Sequence, residues 1–454
     1  MELVYNVKDK PPFGKTLVFA LQQLLAILAA TIAVPAVVGN GMSQSAALFG
    51  AGVGTIVYLL FTKFRSPVFL GSSFAFIGSM MAAFAGGVSM SVGYLGLIIG
   101  AGFAGLVYVI IALVVKKAGV NWLNKLMPAV VVGPTVAIIG LSLAGNAIGD
   151  LASGGLKDAF GGSVCNSYVA LICGLVTLFT VIACSVYGKK MLNLIPFIIG
   201  ILAGYAVAAI FTAIGYAANA DALKVIDFTK FKNMQWYPDF AFVEAFKGNY
   251  NYGPDGSFGT YLLTIAVAYA PVAFVVFAEH IADHKNLSSI IGSDLLEDPG
   301  LHRTLLGDGV GSIAGAFFGG CPNTTYGESV GCVAITGNAS VATIFTTAII
   351  AIIASFVAPF VTFLATIPSC VMGGVCITLY GFIAVSGLKM IQQVDLGDNH
   401  NLFVVSVILI AGIGGMTLNF GKVTITSVAC ALILGILTNV LCSIKGKKEN
   451  GEPS

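Results

Sequence analysis

The sequence predicts an all-α polytopic membrane protein with about fourteen transmembrane segments, and three observations carry that expectation. First, 57% of the 454 residues are hydrophobic and only 9% are charged, against roughly 25% charged in a soluble domain. A soluble chain of this length needs far more polar surface to stay in solution. Second, the apolar residues come in long blocks. From Gly14 to Gly39 the only ionisable side chain is Lys15, and from Val341 to Leu388 there is no charge at all. A spanning helix takes about 20 mostly apolar residues, so the second block holds two. Third, Lys and Arg recur after alternate blocks, as expected of loops kept on the cytoplasmic side.

The elements follow in order. Met1 to Lys15 is polar and contains Pro11-Pro12, and the apolar block after it exceeds a signal-peptide core, so no cleavable signal is expected. Hydrophobic segments then centre near residues 25, 54, 77, 104, 136, 177 and 204, and again near 268, 312, 332, 353, 379, 408 and 432. Lys8, Lys10 and Lys15 precede the first segment, Lys63 and Arg65 follow the second, Lys116 and Lys117 the fourth, and Lys189 and Lys190 the sixth. Lys445, Lys447 and Lys448 follow the last, while Gly39–Ser45 and Gly86–Gly93 carry neither Lys nor Arg. This places both termini in the cytoplasm, with an even number of spans across the cell inner membrane; Lys157 and Lys422 run weakly against the pattern.

One long hydrophilic insertion, about Asn219 to Ser257, mixes both charge signs with Trp236 and other aromatics. It divides the chain into a first half (1–218), an external linker (219–257) and a second half (258–454). Pro128-Ala-Val-Val-Val-Gly133 in the fifth segment is echoed by Pro368-Ser-Cys-Val-Met-Gly373 in the twelfth. Segments seven apart enter the membrane from opposite sides, so the echo points to a 7+7 inverted-topology repeat, with a substrate site where the repeats meet. The nine cysteines lie mostly in apolar segments without metal-like spacing, and neither a cofactor nor a metal is expected. A net charge of +2, with the basic residues flanking membrane segments, gives no reason to expect nucleic acid.

The residues that should not be in a membrane carry the chemistry. An ionisable group at the bilayer centre costs at least about 2.5–3.5 kcal/mol on insertion scales. Ala278-Glu279-His280-Ile-Ala-Asp283-His284 closes the eighth segment, and Glu279 and Asp283, four apart, share a helical face. Two carboxylates facing one cavity repel, which favours a proton on one of them. The competing expectation for Asp283 and His284 is a plain helix end. In Cys321-Pro-Asn-Thr-Thr-Tyr-Gly327-Glu328-Ser329, the Pro, two β-branched residues and Gly argue for extended backbone. Such backbone survives at membrane depth only beside a cavity or buried in protein, and Glu328 would open the half-helix that follows. Leu70-Gly-Ser-Ser-Phe74-Ala-Phe76 in the third segment is its counterpart, with Phe74 as a stacking face. Carboxylates, free backbone amides and a flat aromatic suit a small, planar, neutral heterocycle rich in N–H and C=O groups. No Walker loop, Ser-His-Asp set or metal cluster is visible, so neither an enzyme nor an ATP-driven pump is expected.

These motifs resemble the nucleobase–ascorbate transporter family over nearly the whole chain. The signature of that family is matched by Glu328-Ser329-Val330-Gly331 with Thr336-Gly337, and its uracil branch by Asp298-Pro-Gly-Leu-His-Arg303 with Pro322-Asn-Thr-Thr-Tyr-Gly-Glu328. The resemblance implies short strands breaking spans 3 and 10, a core domain of spans 1–4 and 8–11, and a gate domain of spans 5–7 and 12–14. It implies substrate binding by Glu279, Glu328, Phe74, Gly327 and Tyr326, with Ala30 nearby, and proton coupling through Glu279, Asp283 and Asp308. Uracil and protons are the implied partners, in membrane lipid, with a homodimer through the gate domain. A xanthine or urate carrier of the same fold is the nearest alternative; an anion transporter or channel is a further one. The chain departs from the family at Gln22-Gln23 (often Gln-His), at Asp283 (His in uracil carriers) and at Ser329 (Asn).

Overall fold

Where no water is present to bond the backbone, a chain satisfies its own N–H and C=O groups by forming helices. The computed structural model describes residues 3–119, 128–156, 162–189, 192, 195–254, 256–420 and 423–449. Lys157, Lys190 and Lys422 lie outside the described residues, as do the side chains of Lys445, Lys447 and Lys448. The first half runs α1 (Phe13–Val38), α2 (Gln44–Phe61), β1 (Leu70–Ser72), a 3-10 turn (Phe74–Phe76), α3 (Ile77–Ala83), α4 (Met90–Ala118), α5 (Ala129–Ser142), α6 (Ala144–Leu151), α7 (Ser167–Tyr187) and α8 (Pro196–Ala217). The linker holds the short α9 (Ala241–Ala245). The second half runs α10 (Phe258–Ile291), α11 (Leu301–Gly319), β2 (Asn323–Thr325), α12 (Gly327–Thr336), α13 (Val341–Ala354), α14 (Ala358–Thr366), α15 (Ser369–Ile391), α16 (Asn399–Ile413), a hairpin of β3 (Leu418–Phe420) and β4 (Val423–Ile425), and α17 (Ser427–Glu449).

Every expected segment centre falls within one of these helices. Among the described residues, eight helices are long and apolar enough to cross a membrane, counting α5 and α6 as one; the bent pair α13–α14, with 83° between its members, makes a ninth. Phe74–Ala83, Asn399–Ile413 and Ser427–Ser443 are apolar but shorter, and α11, at 19 residues, is long enough but less apolar. Val341–Leu388, read as two spans, is built as this bent pair followed by α15.

The two interrupted segments meet. β1 and β2 pair antiparallel, with Leu70 opposite Thr325, Gly71 opposite Thr324 and Ser72 opposite Asn323. Pairing satisfies the backbone groups that extended chain leaves open. Gly320, at φ 75°, ends α11, and Pro322 keeps the chain from resuming a helix before β2. The amide of Asn323 donates to the Gly50 carbonyl (3.1 Å), tying the strand pair to α2. The echoed prolines also correspond: Pro128 and Pro368 stand at the N-caps of α5 and α15 with φ/ψ of −69°/166° and −68°/152°.

The linker packs against both neighbours. Phe240 and Phe242 join Phe49, Phe317 and Phe318 in an aromatic cluster, and the N–H groups of Val225 and Ile226 both donate to Thr212 Oγ1 (3.0 Å each) at the end of α8.

Candidate functional site

β2, the 3-10 turn that follows β1, α10 and the start of α12 border a cavity of about 370 Å³. Six of the expected residues line it: Glu279 and Asp283 from α10, Phe74 from the 3-10 turn, and Tyr326, Gly327 and Glu328 at the opening of α12. Four residues is close to one helical turn, which puts both α10 carboxylates on the cavity side. Glu328 sits in the first turn of α12, where unpaired N–H groups favour an anion. A Cβ on Gly327 would meet nothing nearer than the Asp283 carboxylate, at 3.7 Å, so this position leaves open space beside the acids. Three acidic side chains and an aromatic ring therefore face one space.

The backbone around the cavity is held tightly. Thr325 Oγ1 donates to Asp283 Oδ2 (2.7 Å), and Tyr326 OH donates to the Ser72 carbonyl (2.8 Å). The Ser329 hydroxyl receives both the Phe69 N–H (3.0 Å) and the side-chain amide of Gln23. Two of the family departures, Gln23 and Ser329, are thus bonded partners.

Behind the cavity, α10 presents two buried imidazoles, stacked with centroids 4.0 Å apart. His284 Nδ1 lies 2.7 Å from the His280 carbonyl, which can only accept, so His284 carries a hydrogen on Nδ1. Its Nε2 meets Tyr58 OH at 2.7 Å, and that hydroxyl also contacts Ser66. The Thr304 hydroxyl donates to the Leu301 carbonyl (3.1 Å) and therefore accepts from His280 Nε2 (2.9 Å). His280 Nδ1 faces Asp308 Oδ2 at 2.7 Å. With Nε2 already carrying a hydrogen, one further proton must lie between His280 and Asp308. That pair is electrically neutral overall, which suits a site with no exposure to water.

One expectation requires correction. His284 is not a helix end, because α10 continues to Ile291 and His284 is fully buried. Of the other expected residues, Asp308 lies behind α10 and Ala30 is buried within α1, so both stand near the cavity without lining it. The apolar wall facing the acids was not anticipated. It comes from Val136, Phe197, Leu379, Phe382 and Ile383, with Ser386 as its polar member. Nothing in the sequence distinguished these residues from ordinary membrane-helix side chains. Phe74 also meets, edge-on, the ring of Tyr380 on α15, the helix that carries Leu379, Phe382 and Ile383, with centroids 5.9 Å apart.

A helical membrane protein in which two interrupted helices meet at an acid-lined cavity is, by fold and site, a membrane carrier. Comparison with known proteins gives its kind. The model described as "Permease family" matches residues 14–421. A uracil permease of Bacillus caldolyticus is 40% identical over 444 residues, covering 96% of this chain and 94% of that protein. A uracil permease of Bacillus subtilis (strain 168) is 37% identical over 453 residues, covering 99% and 97%. Among solved structures, one of SLC26A9 superposes with a TM-score of 0.67 at 11% identity, covering 95% of this chain and 65% of that one; the likeness is one of fold. The chain belongs to the permease family, and is a multi-pass membrane transport protein rather than an enzyme.

Proposed function

We propose that this protein imports uracil by proton symport. The observation that carries the proposal is the convergence of Glu279, Asp283 and Glu328 with Phe74 on one cavity, in a chain that aligns end to end with proteins named uracil permease. A carboxylate accepts from ring N–H groups, backbone N–H groups at the start of α12 donate to ring carbonyls, and Phe74 offers its face to the ring. Glu279 and Glu328 hold the pyrimidine in this reading, with Tyr326 and Gly327 leaving room beside it and Ala30 supporting from behind.

Proton coupling rests on Glu279 with Asp283. Two acids on one helical face repel when both are charged, so a proton arriving on one favours the loaded carrier. Asp308 acts behind them through its bond to His280, holding the face of α10 toward the cavity. Spans 1–4 and 8–11 form the core, which moves against a gate of spans 5–7 and 12–14, in a fourteen-span 7+7 inverted repeat. Both termini are cytoplasmic in the inner membrane. A homodimer through the gate and direct contact with lipid complete the proposal.

Uptake of labelled uracil into proteoliposomes, with an inward proton gradient and after its collapse, tests it. Uptake that disappears on collapse and survives excess xanthine is expected. Uptake indifferent to the gradient would remove proton symport, and inhibition by xanthine would move the substrate to a purine.

A further inference from the structure

A second cavity, of about 270 Å³, lies across Phe74 from the acidic one. Phe74 and Ala75 line both, so a single 3-10 turn partitions them. Two antiparallel helices fix its position. On α10 the acidic cavity touches Glu279 and Asp283, whereas the second touches Val272, about 10 Å nearer the N-terminal end of the helix. On α5 the acidic cavity touches Val136, and the second touches Ile139 and Ser142, nearer the C-terminal end. Both displacements run toward the side of the linker, which joins the end of α8 to the start of α10.

The chemistry of the second cavity differs from that of the first. Among the described residues, no acidic or basic side chain lines it; its polar groups are the hydroxyls of Ser79, Ser142, Thr426 and Ser427 and the amide of Asn146. Ser79 and Ser142 are already committed to the carbonyls of Ala268 (2.6 Å) and Ile139 (3.1 Å). The side chains of Asn146, Thr426 and Ser427 have no hydrogen-bond partner among the described residues, and Asn146 is exposed. A carboxamide presents one C=O and one N–H₂ in a plane, the complement of a ring edge on which N–H adjoins C=O. The same two-point logic lets amide side chains read base edges elsewhere. Phe74 and Ala75 supply the apolar floor. The cavity also lies between segments assigned above to core and gate, where a substrate would pass.

We propose that this outer cavity is a capture station for a planar heterocycle bearing a lactam edge, and that Asn146 is its specificity-determining residue. The inference rests on the nucleobase-transport reading. A ring held there by neutral groups needs no proton; the proton is required only once the ring passes Phe74 and meets Glu279, Asp283 and Glu328. Selection by ring edge and coupling to protons are thereby divided between two places along one path.

The test uses the full-length protein, reconstituted, with labelled uracil. Asn146→Ala is expected to raise the KM for influx about three- to tenfold, as the loss of one or two neutral hydrogen bonds implies. Equilibrium uracil binding to the purified protein, which reports the acidic cavity, is expected to change by less than about twofold, because Asn146 is remote from it. Asn146→Asp keeps the size but removes the donor, and is expected to raise the influx KM at least as much. An influx KM unchanged in both variants would overturn the proposal. So would an equal loss of binding and uptake, which would mark Asn146 as a packing residue. Wild-type protein that takes up no nucleobase would bring down the transport reading and this inference together, whereas wild-type uptake with an indifferent Asn146 removes the capture station alone.

Discussion

Consider Gly71→Ala, a change of one methyl group at the centre of the strand pair. A Cβ built at Gly71 lies 2.3 Å from both Cε2 and Cζ of Tyr326 and 2.8 Å from its hydroxyl. Carbon atoms rest about 3.5–4.0 Å apart, so the overlap exceeds about 1 Å. The ring cannot turn aside. It is 3% exposed, its hydroxyl donates to the Ser72 carbonyl at 2.8 Å, and its N–H donates to the Phe69 carbonyl. Either β1 and β2 separate or the ring swings out and gives up its bond. Overpacking of this kind costs about 1–3 kcal/mol, and the lost hydrogen bond about 0.5–1.5 kcal/mol. A loss of about 2–4 kcal/mol in stability is expected on that basis. Since Tyr326 leads directly into Gly327-Glu328, uracil affinity should fall at least about tenfold as Glu328 shifts. Thermal stability by fluorescence-detected gel filtration, with binding to the purified protein, measures both effects. Tyr326→Ala empties the same space, so the double variant should be less destabilised than the sum of the singles, by about 1–3 kcal/mol. Gly71→Ala protein with wild-type stability and affinity, or strictly additive single variants, would refute the close approach that the strand register imposes.

Other expectations follow from the site and its supports. Glu279→Gln should fold and reach the membrane yet lose gradient-driven uptake; wild-type uptake by this variant would exclude Glu279 as the coupling group. His280→Ala leaves the Asp308 carboxyl buried without its hydrogen-bond partner, which should cost about 1–3 kcal/mol and appear as poorer recovery of monodisperse protein. Tyr58→Phe removes the hydroxyl that bonds His284 and Ser66, and should lower thermal stability by about 1–3 kcal/mol with the KM for uptake unchanged, since Tyr58 lies behind the cavity. Gln23→Ala should raise the KM several-fold at constant maximal rate, because the Gln23 amide bonds Ser329, the residue after Glu328; a change in maximal rate alone would place its role elsewhere.

Much of the chain was legible residue by residue. A block without charges must be helical in lipid, and Pro322 with Thr324 and Thr325 must be something else, because these are properties of single residues and their immediate neighbours. The same holds for Glu279 and Asp283, since a spacing of four settles which face they share. His280 and His284 stand one turn apart on the same helix, yet their partners were not legible. Asp308, Thr304, Tyr58 and Ser66 come from other elements, and no local pattern announces them.

In a soluble helix, the apolar stripe says which face is inside. The helices here are apolar on every side, since lipid asks for that as strongly as a protein core does, and so neighbours cannot be inferred from periodicity. By itself the sequence determined that the chain enters the membrane, that helices give way around Leu70–Phe76 and Cys321–Gly327, and which acids stand in apolar segments. Only the tertiary structure decided that β1 finds β2 across the chain, that Phe197, Leu379 and Phe382 wall in the acids, and that one aromatic turn divides two cavities. Those outcomes depend on which backbones come close enough to pair, and that is a property of the assembled helices rather than of any one of them.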